Sequence, residues 1–156
     1  MISRFSKYKG KKWLQGKFMP KHIEKYVGNV NDITYRSSWE KRLMLWLDNN
    51  ENVLQWNSEE TVLPYKSPID GEFHRYYLDF TAKIKTKHGI RKFLIEVKPY
   101  QQTIKPVKTP RKHLSTLLNE EKTYLVNQAK WKVAQQYAKK LGAEFIVLTE
   151  KELGLD

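Results

Sequence analysis

The chain has 156 residues, the size of one domain that buries its own core without a disulfide or structural metal; 29 Lys and Arg against 17 Asp and Glu give a formal net charge of +12. It has no cysteine, which excludes thiolate zinc sites, disulfide redox chemistry and cysteine nucleophiles. No apolar run approaches a membrane span and residues 1–7 have no apolar stretch behind their charges, so we expect a soluble, intracellular protein with a polyanionic partner; charge alone leaves DNA, RNA and an anionic membrane surface open.

Residues 1–30 are basic, with spaced aromatics at Phe5, Tyr8, Trp13, Phe18 and Tyr26 and no sustained period. They read as an arm, either a solvated tail or a segment that binds nucleic acid or a partner, ahead of one domain over residues 31–156. Ser37 is a fair N-cap for a helix in which Trp39, Leu43, Trp46 and Leu47 recur on one buried face before Asn49 and Asn50 end it. Residues 53–56 and 61–63 are short extended segments, the second closed by Pro64, and residues 68–71 (Pro-Ile-Asp-Gly) form a turn.

Residues 76–85 alternate, with Tyr76, Leu78, Phe80, Ala82 and Ile84 on one face and Tyr77, Asp79, Thr81 and Lys83 on the other. After a turn at residues 86–89 the alternation resumes over 91–98, with Phe93, Ile95 and Val97 opposite Leu94, Glu96 and Lys98, and the two runs read as a hairpin. Prolines 99, 106 and 110 bound a basic surface loop. Helix is expected from about Leu114, most clearly over residues 127–141, where Trp131, Ala134, Ala138 and Leu141 form a stripe and Gly142 supplies the stop. Residues 144–148 read as a buried strand, and Thr149 with Glu152 as the capping box of a last short helical turn. The sum is an α/β domain with a mixed central sheet flanked by helices.

A hairpin symmetric about residues 87 and 88 places Asp79 opposite Glu96 on the face away from the core. Like charges that close destabilise the pair, and a hard cation such as Mg²⁺, which takes one or two protein carboxylates, removes the conflict. Lys98, on the same face as Glu96, would then stabilise charge developing on a phosphorane or hold the attacking water. The plainer reading, that all three decorate the solvent face of an exposed hairpin, stays open. Glu40 likewise has two readings, as the capping-box partner of Ser37 or as an acid pointing from the helix toward this site. Lys105, Lys108, Arg111 and Lys112 are the favoured phosphate contacts outside it, with Lys130 in second place; the alternative is ordinary solvated charge. His74 is the one histidine placed to touch phosphate or water, and Glu59 and Glu60 read as surface residues.

A helix glutamate (Glu40), then Tyr77-Leu78-Asp79-Phe80, then Ile95-Glu96-Val97-Lys98-Pro99, resembles the PD-(D/E)xK nuclease superfamily in order, spacing and strand context. Within it, residues 127–131 (Asn-Gln-Ala-Lys-Trp) and 145–150 look like the subgroup containing the transposon-end endonucleases. Residues 33–40, 56–60, 64–65 and 74–76 are closer still to the head completion nucleases of tailed bacteriophages. One departure stands in the motif: Leu78 replaces the family's proline before the aspartate. The resemblance implies a restriction-endonuclease-like core and Mg²⁺-dependent hydrolysis of double-stranded DNA, with Mn²⁺ as a substitute ion. It implies that Asp79 and Glu96 bind the metal, that Glu40 completes or supports the site, and that Lys98 positions water. Portal or head–tail connector proteins would be partners, with incorporation into a virion. A transposition- or junction-type endonuclease and a non-catalytic DNA- or portal-binding protein are the rival readings.

Overall fold

The computed structural model describes residues 15–154. Eight strands and two α-helices follow in the order β1 (Gly16–Lys17), β2 (Thr34–Tyr35), α1 (Ser38–Asn49), β3 (Val53–Ser58), β4 (Val62–Lys66), β5 (Phe73–Tyr77), β6 (Phe80–Thr86), β7 (Gly89–Val97), α2 (Leu114–Leu141) and β8 (Glu144–Leu148). The central sheet has the order β3-β6-β7-β8, antiparallel except for the parallel β7–β8 pair, and is therefore mixed as expected. The parallel pair needs a crossover, which α2 supplies.

Both faces of this sheet are covered. Phe80, Ala82, Ile95 and Val97 pack with Trp39, Leu43, Met44 and Leu47 of α1, whereas Leu94 packs with Trp131, Ala134 and Ala138 of α2. The small residues Ala134 and Ala138 face the sheet side of α2, and Gly142 ends that helix in the left-handed conformation at φ 64°. In α1 the Ser37 side chain accepts from the Glu40 amide, as its N-cap role requires.

Several expectations change. Trp46 is 48% exposed and Leu141 45%, so neither belongs to its helix's buried stripe; Met44 and Asp48 complete the α1 face instead. Pro64 does not close a strand but sits inside β4, tolerable because β4 and β5 form a separate two-stranded ribbon with open edges. The run read as one strand over residues 76–85 is two: β5 belongs to the ribbon and β6 to the central sheet, with a break at Leu78 and Asp79. That break reverses the side on which alternate residues lie. Tyr76 and Leu78 join the α2-side core, while Phe80 and Ala82 join the α1-side core. β8 is half-buried along its length, and Thr149 with Glu152 forms a hydrogen-bonded turn, not a helix.

The stretch read as an N-terminal arm is in part outside the described residues. From residue 15 onward it packs on the domain: β1 pairs with β2, and Phe18 and Tyr26 are buried against Trp56. Asp48, 1% exposed at the end of α1, fastens this segment by accepting from the amides of Lys21 at 2.8 Å and His22 at 3.1 Å. Asp48→Ala strands those donors, and we expect it to lower the unfolding free energy by about 2–3 kcal/mol in urea titrations. A loss below about 0.5 kcal/mol would mean the segment is held by its aromatic contacts alone.

Candidate active site

The hairpin register runs Phe80↔Ile95 to Thr86↔Gly89, so Asp79 and Glu96 stand at the next paired position, just past the end of the β6–β7 ladder. There the Asp79 carboxylate takes over from the backbone, its Oδ2 accepting from the Val97 amide at 2.9 Å. The sequence expectation of opposition therefore holds, but the face does not: it is covered by α2 and the ribbon, and Glu96 is only 2% exposed.

A buried carboxylate needs hydrogen-bond partners. The Tyr76 hydroxyl donates to the Glu96 Oε2 at 2.6 Å, and the Lys98 ammonium forms an ion pair with its Oε1 at 3.4 Å. Burial, with the negative charge of Glu96 next, pushes the Tyr76 phenol far above its ordinary range and keeps it a donor. Burial is also the first cause that raises the Asp79 carboxyl well above its usual value; the charge of Glu96 adds to it, opposed by the Val97 amide and by Lys98.

Glu40 approaches from the first turn of α1. Its Oε2 accepts from the Arg36 amide at 2.5 Å, one residue before the N-cap, so the capping reading is right in kind though shifted by one residue. Burial raises the Glu40 carboxyl, and the charges of Glu59 and Lys98 both reach it. Arg36 in turn makes two bonds to Glu59, at 2.9 and 3.2 Å. Glu59 is the one non-glycine residue with positive φ, 56°, among the described residues, and its amide donates to the Asp79 carbonyl at 3.1 Å. That conformation ordinarily costs about 1–2 kcal/mol, and here it turns the chain beside the acid cluster. Glu59 and Glu60 are thus not idle surface residues. Glu60 accepts from the Asn29 amide and the Tyr26 hydroxyl.

Lys130 comes from the middle of α2. Its ammonium lies 5.5 Å from the Tyr65 ring and 5.6 Å from the Tyr76 ring. Burial, then repulsion by Lys98, lowers its pKa, while Glu96 and Asp79 act in the opposite sense. The basic loop is held by contacts of its own. Lys108 is turned onto the Lys112 and Thr109 carbonyls, and Lys112 onto the Val107 carbonyl and Glu120, both at 2.8 Å, so these two brace their own loop. Lys105 and Arg111 are exposed. His74 is tied to Asp70 at 2.7 Å in the ribbon turn.

Asp79, Glu96, Lys98 and Lys130 therefore form one interacting cluster, with Glu40 and Arg36 at its border. Among the described residues no three acidic or imidazole side chains are gathered closely enough to hold an ion together. The Asp79/Glu96 pair is the set of carboxylates that would fit an oxygen-seeking divalent cation keeping water for its other positions. Tyr76, Arg36 and Glu59 were missed as site residues by sequence reasoning. Tyr76 carried a signal, lying three residues before Asp79, but its apolar spacing assigned it wholly to the core.

A family model described as "TnsA-like endonuclease N terminal" matches residues 50–150, which include Asp79, Glu96, Lys98 and Lys130 but not Glu40. The chain belongs to the TnsA-like endonuclease family. It is also 43% identical over 143 residues to the head completion nuclease of Enterobacteria phage T4, an alignment covering 88% of this chain and 92% of that protein. The chain is thus a homologue of a head completion nuclease with a TnsA-like endonuclease domain, a nuclease by descent. Leu78, where the superfamily motif has proline, is 1% exposed and donates its amide to the Thr61 carbonyl at 3.0 Å, a bond proline has no hydrogen to make.

Two substitutions should move stability in opposite directions. A raised native carboxyl binds a proton more tightly folded than unfolded, so stability falls as pH rises from the ordinary aspartate range through the raised value. Asp79→Asn keeps an acceptor for the Val97 amide without the charge. In EDTA at pH 7 it should raise the thermal midpoint by about 2–4 °C and flatten that pH slope. Tyr76→Phe leaves buried Glu96 without its hydroxyl donor and should cost about 1–3 kcal/mol in chemical denaturation. An unchanged midpoint in Asp79→Asn would show that the carboxylate is already compensated without metal.

Proposed function

We propose that the chain is a Mg²⁺-dependent deoxyribonuclease that hydrolyses phosphodiester bonds of double-stranded DNA, with Asp79, Glu96 and Lys98 at the reacting centre and Glu40 in support. The observation that carries this reading is the meeting of buried Glu96 and half-buried Asp79 with the Lys98 ammonium 3.4 Å from Glu96, at the end of a hairpin ladder. The mixed sheet with helices on both faces is compatible with a restriction-endonuclease-like core. Asp79 and Glu96 would hold the ion, Mg²⁺ or in its place Mn²⁺; bound there it would neutralise both acids and polarise phosphate oxygens.

The chain's own groups divide the remaining work. The Val97 amide aims the Asp79 carboxylate, and the Tyr76 hydroxyl fixes one oxygen of Glu96 and leaves the other toward Lys98. Lys98, partly exposed at the cluster, is placed to hold an attacking water or to offset negative charge on the phosphoryl oxygens. Lys130 adds a second cation from α2. Glu40, fixed by the Arg36 amide, acts on the cluster through its charge. Outside the cluster, exposed Lys105 and Arg111 are the loop residues free to reach phosphate; Lys108 and Lys112 shape that loop.

The biological setting we propose is the completion of a phage head, trimming or cutting packaged DNA before tail attachment, with portal or head–tail connector proteins as neighbours and the finished particle as a destination. The homology to a head completion nuclease supports it. The family description supports a second reading, an endonuclease that works within a larger transposition- or junction-type complex.

Supercoiled and linear DNA incubated with the protein in Mg²⁺, Mn²⁺ or EDTA tests the chemistry. Cutting should require the metal and should fall by at least about 100-fold in Asp79→Ala and in Lys98→Ala, with both variants folded and DNA-bound. Cutting that persists in both variants would move the site elsewhere.

A further inference from the structure

The β4–β5 ribbon has two unlike faces. Leu63, Tyr65 and Tyr76 turn inward and pack with α2. The outward row is built from the cross-strand pairs Val62↔Tyr77, Pro64↔Arg75 and Lys66↔Phe73, and every member is exposed. Phe73 is 74% exposed and Tyr77 49%, high values for aromatic side chains in strands. Arg75 lies between them and Lys66 stands opposite Phe73, and neither has an ion-pair partner among the described residues.

The Tyr77 end of this row adjoins the candidate active site along the chain, while the acid cluster itself meets the inward side of the ribbon at Tyr76. β5 runs directly into Asp79, and Tyr77, two residues before it, lines a surface groove together with Arg36, Thr34 and Glu59. At about 3.3 Å per residue, Arg75 stands within about 13 Å of Asp79 along the strand and Phe73 within about 20 Å. Outward neighbours repeat at about 7 Å, close to two base-pair steps of about 3.4 Å each. A two-stranded ribbon also matches the width of the DNA major groove. The acids Asp70 and Glu72 stand at the turn end of the ribbon, where the His74–Asp70 pair engages one of them, and not in the outward row.

We infer that the outward face of the β4–β5 ribbon is a duplex-DNA docking surface: Lys66 and Arg75 contact backbone phosphates on one side of the scissile bond, and Phe73 and Tyr77 contact sugar and base edges. The assignment rests on the nuclease reading and extends it to a surface outside the acid cluster. The charge favours a polyanion, and the continuity with Asp79 makes that polyanion the nuclease's own substrate. Contacts on this side would set the direction in which the duplex crosses the site.

The test uses the full chain carrying Asp79→Asn, so that DNA binding is read without cutting, with a defined duplex and the matching single strand as probes in a fluorescence anisotropy titration over a range of salt. Adding Lys66→Ala and Arg75→Ala together should weaken duplex binding at least about tenfold and reduce the slope of log K against log salt by about 2. Adding Arg75→Lys alone should preserve that slope. Phe73→Ala with Tyr77→Ala should weaken duplex binding with the slope unchanged. Thermal midpoints matching the parent show that the exposed substitutions leave the fold intact. Duplex affinity and slope identical to the parent in the Lys66/Arg75 variant would overturn the inference, as would a loss confined to the single strand. Cleavage by the chain with Asp79 restored is scored separately: a protein that binds duplex through the ribbon yet never cuts overturns the nuclease reading and leaves the docking surface standing.

Discussion

Two carboxylates, Asp79 and Glu96, are held together where little water reaches them, and much of the surrounding structure answers that conflict. For unit charges about 5 Å apart the repulsion is about 3 kcal/mol even at an effective dielectric of about 20, a sizeable part of the net stability of an ordinary domain. The Val97 amide, the Tyr76 hydroxyl and the Lys98 ammonium each take a share. Lys130 adds positive charge from α2, and burial plus mutual repulsion still hold the Asp79 carboxyl above its usual range. In the function proposed above, a bound dication would relieve a repulsion that the chain's own groups only partly offset.

The break at Leu78 and Asp79 is what makes the arrangement possible. If β5 and β6 were one strand, Asp79 would spend its backbone in the ladder, and Tyr76 would lie on the same face as Phe80, on the α1 side of the sheet. Because the chain leaves one sheet and enters another there, Tyr76 stays on the α2 side with Glu96 and can donate to it. The left-handed turn at Glu59 secures the same point from a third direction, by its amide to the Asp79 carbonyl and its side chain to Arg36. Glu40, at the start of α1, is thereby connected to the cluster through Arg36. The strand aspartate, the helix glutamate and the β3–β4 turn are joined by contacts although far apart in the chain.

The same break explains what was hard to read in the residues. Alternation over 76–85 is uninterrupted in hydrophobicity, because both the ribbon and the sheet bury apolar side chains; a period of two reports that a face is buried, not which core buries it. Trp46 and Leu141 fell into helical stripes by spacing alone, yet Trp46 lies on the flank of the face that buries Leu43, Met44, Leu47 and Asp48, and Leu141 is the last residue of its helix, beyond buried Ala138. The basic loop after β7 was located correctly, but composition could not show that Lys108 and Lys112 would turn inward onto their own carbonyls. Phe18 and Tyr26 gave no period at all, since isolated aromatics that plug a core from a nearly structureless segment leave none.

By itself the sequence determined the local facts: the Ser37 cap, the β6–β7 hairpin with its register, the long helix ending at Gly142, the existence of a strand after it, and the Asp79, Glu96 and Lys98 set in motif order. Each depends on interactions between near neighbours in the chain, whose geometry is nearly the same in any fold. Only the tertiary structure decided that the acid-bearing face is covered, that Tyr76 and Lys130 enter the cluster, that Glu40 borders it with Arg36 and Glu59, and that the ribbon presents Lys66, Phe73, Arg75 and Tyr77 to solvent. Those outcomes turn on which elements pack over which face, and burial against a distant segment leaves no mark in local spacing.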